Sequence, residues 1–144
     1  MRYTSIYLIV KDFRKSLDFY EKILDMKVSV LNERFAIFDN NGLNICLMNG
    51  LFDVNYPERV KTKGEYYPEY DDTHKIAEKE NSKKVFINIG VHDLQKEYLR
   101  IKELDIAGNL TPIRYIEVYS PYYYFTFEDP DGNPIEITGK YFDN

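Results

Sequence analysis

Two stretches of this chain carry the same residue types in the same order, and that internal repeat limits the fold more than any other feature. Ile6, Val10, Asp12 and Lys15 fall on Ile87, Val91, Asp93 and Lys96 at an offset of 81, while Phe35, Asp39, Gly42 and Ile45 fall on Phe125, Asp129, Gly132 and Ile135 at an offset of 90. The second copy therefore has nine extra residues between its helix and its last hairpin. Self-similarity of this kind marks a supersecondary unit used twice. A chain of 144 residues then suits a single compact domain, or two small modules sharing one core.

Each copy has the same local grammar. Tyr3 to Val10 is a β-prone run, Asp12 is a helix N-cap, and Phe13, Leu17, Tyr20 and Leu24 make one apolar stripe, with Arg14, Lys15, Asp18, Glu21 and Lys22 on the wet side. Three β-prone pieces follow: Lys27 to Leu31, Arg34 to Phe38 and Leu43 to Met48. They are separated by the turn formers Asn32-Glu33 and Asp39-Asn40-Asn41-Gly42. The second copy opens with a strand from Lys84 to Val91. Asp93 then caps a helix with Leu94, Tyr98, Ile101 and Leu104 on its apolar side, and Ala107-Gly108-Asn109 ends it. Strands are predicted at Leu110 to Tyr119, Tyr122 to Phe127 and Pro134 to Thr138, the last two joined by Asp129-Pro130-Asp131-Gly132-Asn133. The fold class is α+β: two βαβββ modules, 1–48 and 84–144, joined by a linker or insertion at 49–83.

That linker is longer than an ordinary connection, and loops of this length are usually lids or disordered. Phe52, Tyr56, Tyr66, Tyr67 and Tyr70 favour partial packing, since disordered segments are poor in aromatics. Thr73 to Glu80 reads as a short polar helix. A surface elaboration or dimer arm without a ligand role is the plain alternative.

Charge and cysteine usage exclude some function classes. The net charge is −5 and the basic residues are interleaved with acids, which argues against binding nucleic acid through its phosphates. No segment approaches the run of about eighteen apolar residues that spans a membrane, and the start of the chain has no signal-peptide core. A cytoplasmic protein with no membrane association is expected. Cys46 is the only cysteine, so no intrachain disulfide or paired-cysteine metal site can form.

The paired units resemble the vicinal oxygen chelate superfamily, which includes glyoxalase I, extradiol dioxygenases, fosfomycin-resistance enzymes and bleomycin-binding proteins. The resemblance rests on Val10-Lys11-Asp12 with Ser16-Leu17-Asp18-Phe19-Tyr20, and on the run from Phe125 to Ile137 containing Asp-Pro-Asp-Gly-Asn-Pro-Ile-Glu. It implies two sheets forming a half-open, eight-stranded, cavity-lining surface with helices outside, and often a homodimer. Metal-dependent members take ligands from the first and last strand of each unit, usually His or Gln on the first and Glu on the last. Here those positions hold Ser5, Cys46, Phe86 and Glu136, so only Glu136 matches.

A lone carboxylate beside a phenyl ring and an alcohol does not make a divalent site. Cys46 with Glu136 falls short of the three protein ligands of a typical catalytic zinc site. His92, beside the cap Asp93, and His74, in the linker, are expected to be solvated. The reading therefore assigns no metal, no cofactor and no catalytic residue, and treats Cys46 as a small buried hydrophobe.

Side chains two apart share a strand face. The expected ligand-facing set is Ser5, Tyr7, Cys46, Phe86, Asn88 and Glu136. Burying Glu136 without donors would be costly; its candidate partners are Ser5, Asn88, Arg114, the tyrosines Tyr122, Tyr123 and Tyr124, or a ligand. The leading expectation is metal-independent binding of a small aromatic or cationic organic molecule. A metal-dependent lyase or dioxygenase that recruits His74, and a protein-interaction module with a filled cavity, are the rivals.

Overall fold

A computed structural model describes residues 1–117 and 119–143. The chain divides into two compact units, Met1–Glu80 and Asn81–Asn144. In the first, β1 (Ser5–Val10), α1 (Phe13–Ile23), β2 (Val30–Leu31), β3 (Phe35–Phe38) and β4 (Asn44–Asn49) build a sheet of order β1-β4-β3-β2. The short helices α2 (Phe52–Asn55), α3 (Pro68–Asp71) and α4 (Thr73–Ala77) complete that unit. In the second, β5 (Ile87–Asp93), α5 (Leu94–Leu104), β6 (Arg114–Glu117), β7 (Pro121–Glu128) and β8 (Pro134–Lys140) build a sheet of order β5-β8-β7-β6. Each unit is thus a βαβββ module, and among the described residues eight strands are shared four and four between two sheets that are not closed into a barrel. Among the described residues no helix is long and apolar enough to cross a membrane.

Both main helices start as their caps dictate. The Asp12 carboxylate accepts from the Lys15 backbone N–H at 3.0 Å, and Asp93 accepts from that of Lys96 at 3.0 Å. Leu17, Phe19, Tyr20 and Ile23 of α1 are buried, and Tyr20 meets Phe38 with ring centroids 6.3 Å apart. In the second unit Leu94 and Ile101 are buried, and Tyr98 meets Phe125 edge-on at 5.3 Å. Helix α5 stops because Asp105 takes a left-handed conformation, φ 51°, earlier than the expected Ala107-Gly108-Asn109. Gly108 instead exchanges two backbone hydrogen bonds with Glu128, which places it beside the sheet.

Several strand ends differ from expectation for local reasons. The Val28 N–H goes to the Glu21 carboxylate, so the pairing of the second strand begins only at Ser29, whose N–H reaches the Ile37 carbonyl. Asn32 Oδ1 accepts the N–H groups of both Arg34 and Phe35 at 2.8 Å, which delays β3 by one residue. The expected strand from Leu110 to Tyr119 shortens to Arg114–Glu117; Pro112 has no N–H to donate, and Val118 lies outside the described residues. Before that proline, Thr111 Oγ1 accepts the Thr126 N–H at 2.9 Å in place of a carbonyl.

The ladders correct one part of the repeat alignment. Cys46 stands opposite Tyr7 and Ile37, and Glu136 stands opposite Asn88 and Thr126, so Cys46 and Glu136 occupy equivalent positions. By the same register Ala36, not Phe35, is the counterpart of Phe125. The first hairpin is one residue shorter, because Phe38 runs directly into Asp39 whereas Glu128 separates Phe127 from Asp129. A shift of one residue turns a side chain to the other face. Phe125 is accordingly fully buried on the helix side, while Phe35 stands opposite Met48 on the other face.

The segment after β4 folds onto its own unit. Phe52 is buried, with the guanidinium groups of Arg34 and Arg59 5.0 and 5.1 Å from its ring centroid. Gly50 meets the end of β1 and the helix α4, and its N–H bonds the Val10 carbonyl at 2.9 Å. Tyr66, Tyr67 and Tyr70 remain exposed. The predicted helix Thr73–Glu80 ends at Ala77.

Candidate functional site

In the second sheet alternation separates two chemistries. Ile87, Phe125, Phe127, Ile135 and Ile137 are buried on the α5 side. The residues between them therefore point to the open face: Asn88 on β5, Glu136 and Thr138 on β8, and Tyr122, Tyr124 and Thr126 on β7. Arg114 joins them from β6, opposite Tyr124. This face is polar and aromatic, and it has the one carboxylate that the repeat places at an equivalent of Cys46.

Glu136 is half-buried and held by two donors. Asn88 Nδ2 lies 2.6 Å and the Tyr122 hydroxyl 2.8 Å from Glu136 Oε1. A carboxylate oxygen only accepts, so the Asn88 atom facing it is the amide NH2. The same NH2 also donates to the Tyr122 hydroxyl at 3.0 Å, closing a three-membered ring of hydrogen bonds. Together these donors hold Glu136 in one orientation. Both bonds end on Oε1. Among the described residues, Glu136 Oε2 and Asn88 Oδ1 accept no hydrogen bond. Between Asn88 and the end of β5, Gly90 has open space where a side chain would stand.

The other expected residues are distributed as follows. In the first unit Tyr7, 58% exposed, stands opposite Cys46 in the ladder, and Ser5 lies two residues before Tyr7 on the same strand face. Cys46 is only 3% exposed, and burial pushes its thiol up, with the nearby Ser5 hydroxyl partly opposing. Phe86 lies one residue ahead of β5 and is 46% exposed. The structure therefore brings Asn88 to Glu136 and Ser5 to Cys46, within their respective units. His92 occupies the irregularity where the β5–β8 register shifts, with its ring 5.9 Å from that of Phe142; His74 lies on α4.

Tyr122 and Arg114 are among the expected partners of Glu136, and Thr126 is not, although one signal points to it. Phe125 and Phe127 occupy alternate positions on β7, and their neighbours Tyr122, Tyr124 and Thr126 must then share the face of Glu136. The Arg114 guanidinium lies over the Tyr124 ring, 4.9 Å from its centroid, and its Nη2 donates to Thr126 Oγ1 at 3.2 Å.

A family model described as Glyoxalase/Bleomycin resistance protein/Dioxygenase superfamily matches residues 2–137. The chain belongs to that superfamily. It is 30% identical over 139 residues to the uncharacterized protein YraH of Bacillus subtilis (strain 168), covering 95% of this chain and 97% of YraH. Its fold is similar to that of a glyoxalase-related enzyme from Fulvimarina pelagi, with a TM-score of 0.61 and 14% identity over 97% of this chain and 88% of the other. It is also similar to a glyoxalase/bleomycin resistance protein/dioxygenase from Nocardioides, with a TM-score of 0.63 and 16% identity over 94% and 81%.

The metal site of metal-dependent superfamily members does not fit the residues present here. The four positions supply one carboxylate, a buried thiol whose proton is held more tightly than usual, an alcohol and a phenyl ring. Beside Glu136 stand the Asn88 amide and the Tyr122 hydroxyl rather than further carboxylates, imidazoles or thiolates. Among the described residues no three His, Cys, Asp or Glu side chains converge.

Proposed function

We propose that this superfamily member binds a small organic molecule on the open face of its second sheet, through Glu136 and without a metal. The observation that carries this reading is the orientation of the carboxylate. Asn88 and Tyr122 hold one oxygen, and the second oxygen, together with Asn88 Oδ1, is left to accept from a ligand. Two acceptors, one of them charged, beside Tyr122 and Tyr124 suit an ammonium, amidinium or hydroxyl group attached to a ring that stacks on tyrosine. The ligand-facing residues in this proposal are those of the second unit, Phe86, Asn88 and Glu136 with Tyr122 and Tyr124, in a cytoplasmic homodimer.

A titration followed by NMR, with phenethylamine as the probe, tests it. Shifts centred on Asn88, Tyr122 and Glu136, and a loss of affinity of about tenfold in Glu136→Gln, are expected for loss of one charged hydrogen bond of about 1.4 kcal/mol. Near-stoichiometric zinc, nickel, iron or manganese in protein purified without added metal, released by Glu136→Gln, would instead support a metal-dependent lyase or dioxygenase.

A further inference from the structure

The same open face has a cation that neither the fold nor the Glu136 hydrogen-bond ring uses. Arg114 is exposed and enters no ion pair among the described residues, whereas Arg14, Arg34, Arg59 and Arg100 each face a carboxylate. Its guanidinium is nonetheless well placed: it lies against Tyr124 and is tied to Thr126 Oγ1 by one hydrogen bond. Thr126 is itself set by Thr111, whose N–H bonds the Thr126 carbonyl at 2.9 Å and whose Oγ1 accepts the Thr126 N–H. A guanidinium has five N–H donors in a rigid fork, so most of this group's donors are left for something else.

Its distance from Glu136 matters as much as its freedom. Thr126 stands directly opposite Glu136 on the neighbouring strand, so the guanidinium that reaches Thr126 is about one strand spacing, roughly 5 Å, from the carboxylate row. Arg114 and Glu136 form no ion pair among the described residues, yet they share one face and one pair of tyrosines. We infer that the ligand is amphoteric: an anionic group, carboxylate or similar, seated in the Arg114 fork, and an ammonium or hydroxyl donor at Glu136 Oε2 and Asn88 Oδ1. This inference rests on the reading that the open face is a ligand site. It narrows that reading from cationic organic molecules in general to amino-acid-like or hydroxy-acid-like ones. Arg114 is then a specificity determinant, since a guanidinium fork matches a carboxylate with two parallel hydrogen bonds.

Three probes with the same ring separate the two ends: phenethylamine has only the amine, 3-phenylpropionate only the acid, and phenylalanine both. Phenylalanine is expected to bind the intact chain at least about fivefold more tightly than either single-ended probe, as a charge-assisted pair on a partly open face would give. Arg114→Gln should abolish the preference for phenylalanine over phenethylamine. Arg114→Lys, which keeps the charge but loses the fork, should retain part of the preference. Equal affinity for phenylalanine and phenethylamine in the unaltered protein, or a preference that survives Arg114→Gln, would overturn the amphoteric inference and leave the site standing. Absence of binding by all three probes, or binding insensitive to Glu136→Gln, would overturn both. Circular dichroism of each variant separates loss of binding from loss of fold.

Discussion

Asn88 and Glu136 stand directly opposite each other across the parallel β5–β8 pair, with the amide nitrogen 2.6 Å from the carboxylate oxygen. Replacing the amide by a second acid inverts that relationship. Asn88→Asp is expected to be destabilised by about 1–3 kcal/mol near neutral pH, because two close carboxylates cannot both ionise cheaply. The repulsion exists only while both carboxylates are charged, so the penalty is present at neutral pH and disappears on acidification. Urea denaturation of Asn88→Asp and Asn88→Ser between pH 4 and pH 8, roughly the window in which a carboxylate with a raised pKa titrates, checks this. A serine variant with the same pH dependence would show that charge is not the cause.

Glu128 gives the opposite sign. Lys83 Nζ, 2.8 Å away, and the Asn109 amide, 3.0 Å away, hold its carboxyl below the usual glutamate range. A depressed folded pKa stabilises above the unfolded value and is lost as the pH falls through the folded one. Glu128→Gln should therefore be less stable than the parent at neutral pH, and the gap should close on acidification. Parallel thermal melts at neutral and acidic pH would record it.

Gly50 is the point where the segment after β4 meets its own sheet. A β-carbon there would come within 2.6 Å of Ala77 Cβ and 3.0 Å of the Val10 carbonyl oxygen. Gly50→Ala is expected to cost about 1–3 kcal/mol, typical of overpacking, and to raise hydrogen exchange in α4 before it affects α1. Uniform exchange throughout the unit would argue against so local a role.

Cys46 should react slowly. Its thiol is buried and its proton is held above the usual thiol range, so the thiolate that attacks alkylating reagents is scarce at neutral pH. Iodoacetamide labelling followed by mass spectrometry is expected to be slow in the native protein and fast in urea. Rapid native labelling would restore Cys46 as a candidate nucleophile.

Much of the architecture was readable because its causes are local. Asp12 and Asp93 announce their helices by capping a neighbour three residues on. Asp129 announces the last hairpin: its carboxylate takes the N–H groups of Asp131 and Asn133, and Gly132 supplies the left-handed turn at φ 78°. The match of Cys46 with Glu136 was also readable, since it depends only on counting forward from the hairpin glycines Gly42 and Gly132 along strands of fixed period. Phe35 shows where counting stops. It looks like Phe125 in the sequence, but a hairpin one residue shorter turns it to the opposite face.

The amino-acid sequence alone thus determined two capped βαβββ units, their turns, and a single acid at one of four positions where related proteins place metal ligands. Only the tertiary structure decided what that acid does. Asn88 and Tyr122 come from different strands, 48 and 14 residues away from Glu136, and Arg114 reaches the same face from a third. Hydrogen-bond partners across strands depend on register and on the direction of each side chain, which the local period of a single strand does not specify.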